Sequence, residues 1–252
     1  GIAITTSASE VVVANSSAGA VLLPELTMAA TERIDVRAGS VLTAGGASLG
    51  DAPEVIASEA SGALIRLGTG AASRVDRGSA SNATGDVRIA AGARLSANGA
   101  LLIDATRSTE SQGQLRVGGS DGVGGSLSLS SSMVNLGDTA QATGVLTGLV
   151  LSNTDLAAFG SLDALVLRGY EAIDLIGSTR LGSSQLASLT LDTPLLRGRS
   201  TVDAQLAQAT IAARRVELSN SSDSLAVASV GSGSLAVQAD RLVLGDGEKA
   251  IA

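Results

Sequence analysis

One stretch of the chain decides the fold class: Ile34-Asp-Val-Arg-Ala-Gly-Ser-Val-Leu-Thr-Ala-Gly-Gly46, which recurs as Val87-Arg-Ile-Ala-Ala-Gly-Ala-Arg-Leu-Ser-Ala-Asn-Gly99. Each copy holds two short alternating aliphatic and polar segments around a glycine turn. Alternation predicts strands with one buried face. The copies lie roughly fifty residues apart, about two coils of a solenoid with a repeat in the usual range. The unit therefore predicts short strands stacked on one another, and each strand of such a stack is called a rung.

The same pattern continues along the chain, with Gly, Asn, Asp and Ser between the segments. It predicts an all-β, single-stranded, right-handed parallel β-helix that runs through residues 1–252. The predicted strands include Ala63–Leu67, Leu101–Asp104, Gln114–Val117, Ser126–Leu129, Ala164–Arg168, Leu186–Leu191, Arg215–Leu218, Leu235–Gln238 and Arg241–Leu244.

Composition favours a narrow aliphatic interior. The 252 residues include one Phe, one Tyr and no Trp, while 44% are hydrophobic and 31 are Gly. Aromatic side chains supply much of a wide core, so their scarcity argues against a spherical domain. Only three Pro are present, which suits strands whose amides nearly all have a neighbour to bond.

Four regions depart from the regular pattern. We expect a short helix near Pro24–Arg33, and Asp203–Arg214 is ambiguous between helix and strand. Residues 144–200 form a less regular subregion, in which Gly144–Val150 and Gly177–Arg199 predict wider coils or excursions. Ser108–Gly125 predicts loops around the Gln114–Val117 strand.

The charge pattern argues against nucleic acid as a partner. Net charge is −7, every basic residue except Lys249 is Arg, and the nearest approach to a basic patch is Arg214 with Arg215. Phosphate binding needs clustered cations. Apolar runs such as Val145–Leu151 are far shorter than the roughly twenty residues of a membrane helix.

Both ends of the sequence resemble cuts in a longer polypeptide, since it starts at Gly1 and Lys249–Ala252 resembles the start of another strand. A β-helix cut through its stack exposes strand edges. We therefore expect the isolated chain to associate end to end.

The residue inventory predicts no catalytic, cofactor or metal site. Without His or Cys, the common nucleophilic triads and zinc sites are excluded, and a Ser–Lys arrangement would have to use Lys249. Paired carboxylates are the remaining candidates for sugar chemistry or calcium, although outward positions need polar residues in any case. The pairs are Asp51 with Glu54, Asp155 with Asp163, and Glu171 with Asp174.

Two glycine motifs imitate binding sites. Gly118–Gly125 is similar to a calcium nonapeptide repeat, but Asp121 is misplaced and there is one copy, which favours a loop. Gly231–Ala236 meets the loosest dinucleotide fingerprint, but a strand follows where a helix is required. We interpret it as a turn.

One region carries a family resemblance. Phe159-Gly-Ser-Leu-Asp-Ala-Leu-Val-Leu-Arg-Gly-Tyr-Glu-Ala-Ile-Asp-Leu-Ile-Gly177, with Leu186–Asp192 and Leu195–Gly198 after it, resembles a segment of filamentous-haemagglutinin-like proteins. Gly233–Gly245 is similar to their repeat coils. The closer match covers about a sixth of the chain, and no secretion-signal segment of that family is recognisable.

The resemblance implies a long exported β-helix, delivered to the surface of a Gram-negative bacterium through an outer-membrane pore by two-partner secretion. The leading functional hypothesis is a non-enzymatic shaft of an adhesin or extracellular filament, which presents distal modules or packs sideways into a matrix or biofilm. A second is a solenoid face that binds carbohydrate or a host surface. A third is a β-helix enzyme acting on acidic polysaccharide.

Overall fold

The protein is all-β in the computed structural model, which describes residues 3–16, 21–46, 55–57, 60–78, 82–119, 124–222 and 230–252. The chain divides into two compact units, Gly1–Leu129 and Ser130–Ala252. The helical elements among the described residues are α1, Asn153–Ala158, and a 3-10 turn at Thr139–Gln141.

The first unit contains twelve described strands and the start of a thirteenth. They are β1 Ala3–Val13, β2 Val21–Leu23, β3 Glu25–Val36, β4 Val41–Ala44, β5 Val55–Ala57, β6 Ala63–Gly68, β7 Arg74–Asp76, β8 Asp86–Ile89, β9 Arg94–Ala97, β10 Ala100–Ala105, β11 Ser108–Ser111, β12 Gln114–Val117 and β13 Ser126–Gly137.

Three ladders contain most of the described strands of the first unit, and the chain visits them in a fixed order, while β5 and β7 form a separate parallel pair. Ladder A stacks residues 3–8, 25–30, 63–68, 100–105 and 126–129. Ladder B stacks residues 10–13, 33–36, 86–89 and 108–111. Ladder C stacks β2, β4, β9 and β12. From β10 to β12, for example, the chain passes through A, B and C and then returns to A.

The deciding sequence repeat forms two adjacent rungs. Ile34 is paired with Val87 on ladder B, and Leu42 is paired with Leu95 on ladder C. The prediction that the copies lie two coils apart is therefore wrong, because they pair directly on ladders B and C. Of the segment between β4 and β8, here called the excursion, the described strand β6 lies on ladder A.

Strand β6 runs against its neighbours. It pairs antiparallel with β3 on one edge and with β10 on the other, whereas the other described pairs of ladders A, B and C are parallel. The register still matches the pleat, since Leu67 lies between Leu26 and Leu101, and all three are buried. The wholly parallel arrangement predicted from the sequence is therefore interrupted by one reversed rung.

The second unit continues β13 and adds ten described strands. They are β14 Leu149–Ser152, β15 Ala164–Ile176, β16 Ser178–Gly182, β17 Ser188–Asp192, β18 Leu195–Arg199, β19 Ala207–Ala212, β20 Arg215–Ser219, β21 Gly233–Gln238, β22 Arg241–Leu244 and β23 Ala250–Ile251. β14 pairs with the end of β13 in parallel.

Three parallel ladders also organise the second unit. Ladder D stacks residues 164–168 of β15 with β17, β20 and β22. Ladder E stacks residues 173–176 of β15 with β18 and β23. Ladder F stacks β16, β19 and β21. The chain passes through D, E and F in turn from β15 to β19.

The core is a set of aliphatic columns between the ladders. Leu165, Leu189 and Val216 occupy successive rungs of ladder D at one inward position, and all are fully buried. Burial of such a side chain contributes about 1.5–3 kcal/mol. A narrow core of stacked Leu, Ile and Val therefore replaces the aromatic core of a globular domain.

The structure confirms the predicted strands and corrects several local expectations. Pro24–Arg33 is not helical, because Glu25–Val36 is a strand whose alternate side chains enter the core. Asp203–Arg214 contains strand β19, and Ser108–Ser111 is a strand rather than part of a loop. Gly177–Arg199 contributes β16, β17 and β18 in register and is not an excursion.

Glycine is required where the excursion rejoins ladder B. Gly85 has a φ of +95°, and a Cβ there would lie 2.3 Å from the carbonyl oxygen of Gly62. Gly39 has a φ of +78°, but a Cβ there would meet nothing within 4 Å. A side chain at position 85 would therefore suffer both backbone strain and a collision with backbone, whereas one at position 39 would suffer strain alone.

We predict that Gly85→Ala lowers the free energy of unfolding at least twice as much as Gly39→Ala. Left-handed backbone costs an alanine roughly 1–2 kcal/mol, and only Gly85→Ala adds a collision with backbone. Urea unfolding followed by circular dichroism measures both variants. Equal losses would mean that Gly62 and Gly85 do not lie against each other.

Candidate functional site

Of the first two candidate pairs, Asp155 has a structural role for its carboxylate. Asp155 closes a capping box at the start of α1, where its Oδ2 accepts hydrogen bonds from the Ser152 amide at 2.8 Å and the Ser152 hydroxyl at 2.6 Å. Asp163 lies just before β15, and its backbone oxygen accepts a bond from the Ser188 amide. Asp155 therefore serves helix initiation. Asp51 and Glu54 lie outside the described residues.

The pair Glu171 and Asp174 is divided between two environments. Glu171 is exposed, whereas Asp174 is fully buried. Arg197 donates from Nε to Oδ1 of Asp174 at 2.9 Å and from Nη2 to Oδ2 at 2.8 Å, and Arg199 donates to Oδ2 at 3.0 Å. The hydrogen bond to Asp174 raises the pKa of Arg197 above its ordinary value. Asp174 is thus a buried carboxylate that two Arg side chains hold in place.

A second buried charge pair lies beside Tyr170. Arg168 and Asp192 are register partners on ladder D, with Nε 3.3 Å from Oδ2. The guanidinium carbon of Arg168 lies 4.5 Å from the centre of the Tyr170 ring, which adds a cation–π contact. Asp192 also accepts a bond from the Ser221 amide at 2.7 Å. The phenol therefore packs against a structural ion pair.

The reversed strand of the first unit is held by a buried clamp. Arg77, just after β7, donates to Asp104 of β10 at 2.9 Å and to the carbonyl of Ala60 at 2.9 Å. The Thr106 hydroxyl donates to the carbonyl of Thr84 and accepts from the Gly62 amide. These contacts fasten the segments before and after β6 to ladder A.

Outward charges alternate on ladder B. Glu10 of β1 is the register partner of Arg33 of β3, and the next rung places Asp86 beside Arg33. The adjacent column places Asp35 opposite Arg88, followed by Glu110. Hydrogen bonding to Glu10 raises the pKa of Arg33, and the Asp35 and Asp86 charges act in the same direction.

This alternation specifies the register of the rungs. A slip of one residue would expose the aliphatic face, so the pleat already opposes it. A slip of two residues would keep aliphatic side chains inside but would bring Arg33 opposite Arg88, or Asp35 opposite Asp86. Like charges directly opposite are destabilising. The charges therefore penalise the slip that the core tolerates.

The remaining candidate groups are also engaged by the fold. Lys249 donates from Nζ to the carbonyls of Gly245 and Gly247 at 2.9 and 2.7 Å. Arg215 pairs with Glu217 at 2.6 Å. The Gly231–Ala236 motif contains the start of β21, a strand. Residues 120–123 of the Gly118–Gly125 motif lie outside the described residues.

The described part of the chain contains no group of three or more acidic side chains close enough to hold a metal ion. None of its helices is long and apolar enough to cross a membrane. A cavity of about 180 Å³ lies between β18, β19, β21 and β23, and its lining is mainly apolar, with Leu196, Ala209, Leu235 and Ile251.

Comparison of the chain with protein-family models, with curated proteins and with solved structures gave no significant match. The resemblance to filamentous-haemagglutinin-like proteins therefore rests on the residues quoted for it. Sequence reasoning missed the Arg partners of the buried carboxylates. The register of the strands would have identified them, since Asp174 and Arg197 are partners on neighbouring rungs.

We predict that Asp104→Asn lowers the free energy of unfolding by about 3–5 kcal/mol, because it leaves the Arg77 charge buried without its carboxylate. Asp86→Asn is the matched control. Its partner Arg107 has a half-exposed side chain, so the loss should stay within about 1 kcal/mol. Both are measured by urea unfolding, and similar losses would contradict the clamp.

Proposed function

We propose that this chain is part of the shaft of a secreted bacterial surface adhesin or extracellular filament, built as a parallel β-helix with one reversed rung. The shaft presents distal modules or packs into a matrix. One observation carries the proposal: within each unit the chain visits three ladders in a fixed order, and aliphatic columns join the rungs.

The repeat length supports a solenoid. Asp86 is paired with Ser108, Arg94 with Gln114, and Ala164 with Ser188. These steps of roughly 20 to 25 residues fall in the range of repeat architectures, in which each repeat contacts only its neighbours. Such a stack lengthens without needing a larger core, as a spacer requires.

The use of the charged groups favours a structural role over an enzymatic one. The described carboxylates that are most deeply buried, Asp104 and Asp174, accept hydrogen bonds from Arg side chains. An acid–base pair needs carboxylates that face a substrate. The buried ion pairs of the described residues, Arg77–Asp104, Arg168–Asp192 and Asp174–Arg197, instead join rungs or fasten the excursion.

The proposal includes export and position. By its resemblance to filamentous-haemagglutinin-like proteins, the chain crosses the outer membrane through a two-partner secretion pore and acts outside a Gram-negative cell. Its net charge of −7 suits an exported surface that repels its neighbours.

We predict thin rods in electron micrographs of the purified chain, with a β-type circular dichroism spectrum. A stack of rungs extends along one axis, so small-angle scattering should give a cross-section smaller than its length. Measurement at several dilutions separates the rod of one chain from any assembly. A compact particle at the lowest concentration would contradict the shaft and reopen the enzyme hypothesis.

A further inference from the structure

Three asparagines of the chain lie in the motif Asn-x-Ser/Thr, on which enzymes that attach sugars to asparagine act. The motifs are Asn15-Ser-Ser17, Asn82-Ala-Thr84 and Asn220-Ser-Ser222. A chain rich in Ser and Thr contains this motif by chance, and a glycan needs a surface position because it is bulky and hydrophilic. The fold therefore decides which of the three can be modified.

The motif at Asn220 is closed by the fold. Asn220 is 3% exposed, and its Nδ2, the atom that a sugar would modify, donates to the carbonyl oxygen of Glu248 at 2.6 Å. The Ser222 hydroxyl is also engaged, since it donates to Oδ1 of Asn220 at 2.6 Å. A sugar on Asn220 would require the loss of these contacts.

The motif at Asn15 is occupied by strand pairing. The side chain of Asn15 bonds twice to Val41, the first residue of β4: Nδ2 donates to the carbonyl oxygen at 2.7 Å, and Oδ1 accepts from the amide at 3.3 Å. The side-chain amide thus imitates a backbone neighbour of β4. Asn15 is half-buried, and Ser17 lies outside the described residues.

The motif at Asn82 lies on the surface. Asn82 and Ala83 are exposed and Thr84 is partly exposed, in the turn that leads from the excursion into β8. The turn is fastened through its backbone: the carbonyl of Thr84 accepts from the Thr106 hydroxyl at 2.6 Å, and that of Ala83 accepts from Nη1 of Arg107 at 3.2 Å. The fold thus presents this motif outward on a fixed support.

We propose that Asn82 is an N-glycosylation site, which a glycosyltransferase modifies on the folded chain. The donor is a nucleotide-linked sugar. Nδ2 of Asn82 bonds to the anomeric carbon, the bond from that carbon to the donor phosphate breaks, and the nucleotide diphosphate leaves with the electron pair. Nδ2 gives up one proton in the same exchange. The site goes beyond the proposed function and does not depend on it.

The position suits a bulky substituent. Asn82 lies outside the strands, so a glycan there leaves the pairing of β8 with β3 and β11 intact. A sugar on Asn220 or Asn15 would instead displace hydrogen bonds of the fold. We therefore expect the circular dichroism spectrum to be the same with and without the glycan on Asn82.

Mass spectrometry of tryptic peptides tests the proposal, because cleavage after Arg places each motif in a different peptide. Asn15 falls in residues 1–33, Asn82 in residues 78–88 and Asn220 in residues 216–241. The folded chain is incubated with a soluble asparagine glycosyltransferase and a sugar nucleotide before digestion. We expect the mass of a sugar on peptide 78–88 alone. The chain unfolded in urea and diluted into the same reaction should carry sugar on all three peptides.

Two variants differ only in the part of the motif that the enzyme reads. Thr84→Ser keeps the hydroxyl and should be modified, whereas Thr84→Ala loses it and should not be. Ser222→Ala is the matched control, since it removes the motif at Asn220 and should leave the modification of peptide 78–88 unchanged. An unmodified peptide 78–88 in the folded wild type would overturn the proposal, as would equal modification of peptide 216–241.

The same peptide tests the site in the cell. In protein isolated from the cells that produce it, we expect peptide 78–88 to carry a glycan and peptide 216–241 to carry none. Recovery of peptide 78–88 in unmodified form alone would overturn the proposal and leave the shaft standing. Compact particles in electron micrographs would remove the shaft and leave the modified Asn82 in place.

Discussion

Backbone hydrogen bonding between successive rungs is the interaction on which this structure depends. A strand of four residues such as β9 has no stability alone, and its amides and carbonyls need neighbours on both edges. β4 and β12 supply those neighbours on ladder C. Once the rungs pair in parallel and in register, inward positions coincide, and columns of Leu, Ile and Val form without aromatic residues.

The charged residues follow from the same constraint. A register partner is fixed in space by the backbone, so an Arg and a carboxylate at partner positions meet at little further entropic cost. Arg168 with Asp192 and Asp174 with Arg197 are such pairs. Breaking one member of a buried pair costs far more than the pair itself contributes. These contacts therefore specify register more than they add stability.

The reversed strand shows how the stack accommodates an excursion. When the chain leaves ladder C after β4, ladder A would lack a rung, and two strand edges would remain unpaired. β6 fills that place in the opposite direction, and Arg77 and Thr106 fasten the segments on either side of it. The ladder thus remains continuous although the path of the chain does not.

Alternation in the sequence located most strands, such as Gln114–Val117 and Arg241–Leu244, because each buries one face. It could not give the direction of β6, since the alternation of apolar and polar residues is the same in a parallel and in an antiparallel pair. Nor could it place Arg77 beside Asp104, because that contact depends on the route of the excursion. The helix expected near Pro24 failed because ladder pairing and the burial of alternate side chains in β3 outweigh the intrinsic helical preference of residues such as Ala29 and Ala30.

The alternation also left the spacing of the repeats undetermined. Two copies of one pattern lie adjacent or two rungs apart according to where the intervening chain runs. In the structure the two copies are adjacent, and this pairing decides which residues share a column of the core.

Disulfide formation between outward positions of ladder C tests that register most directly. Thr43 and Ser96 are partners on adjacent rungs, and Arg116 lies one rung further. Adjacent strands lie about 4.8 Å apart, within reach of a disulfide, whereas two rungs exceed it. The account predicts rapid intramolecular crosslinking of Thr43→Cys with Ser96→Cys and none of Thr43→Cys with Arg116→Cys. The reverse result would contradict it.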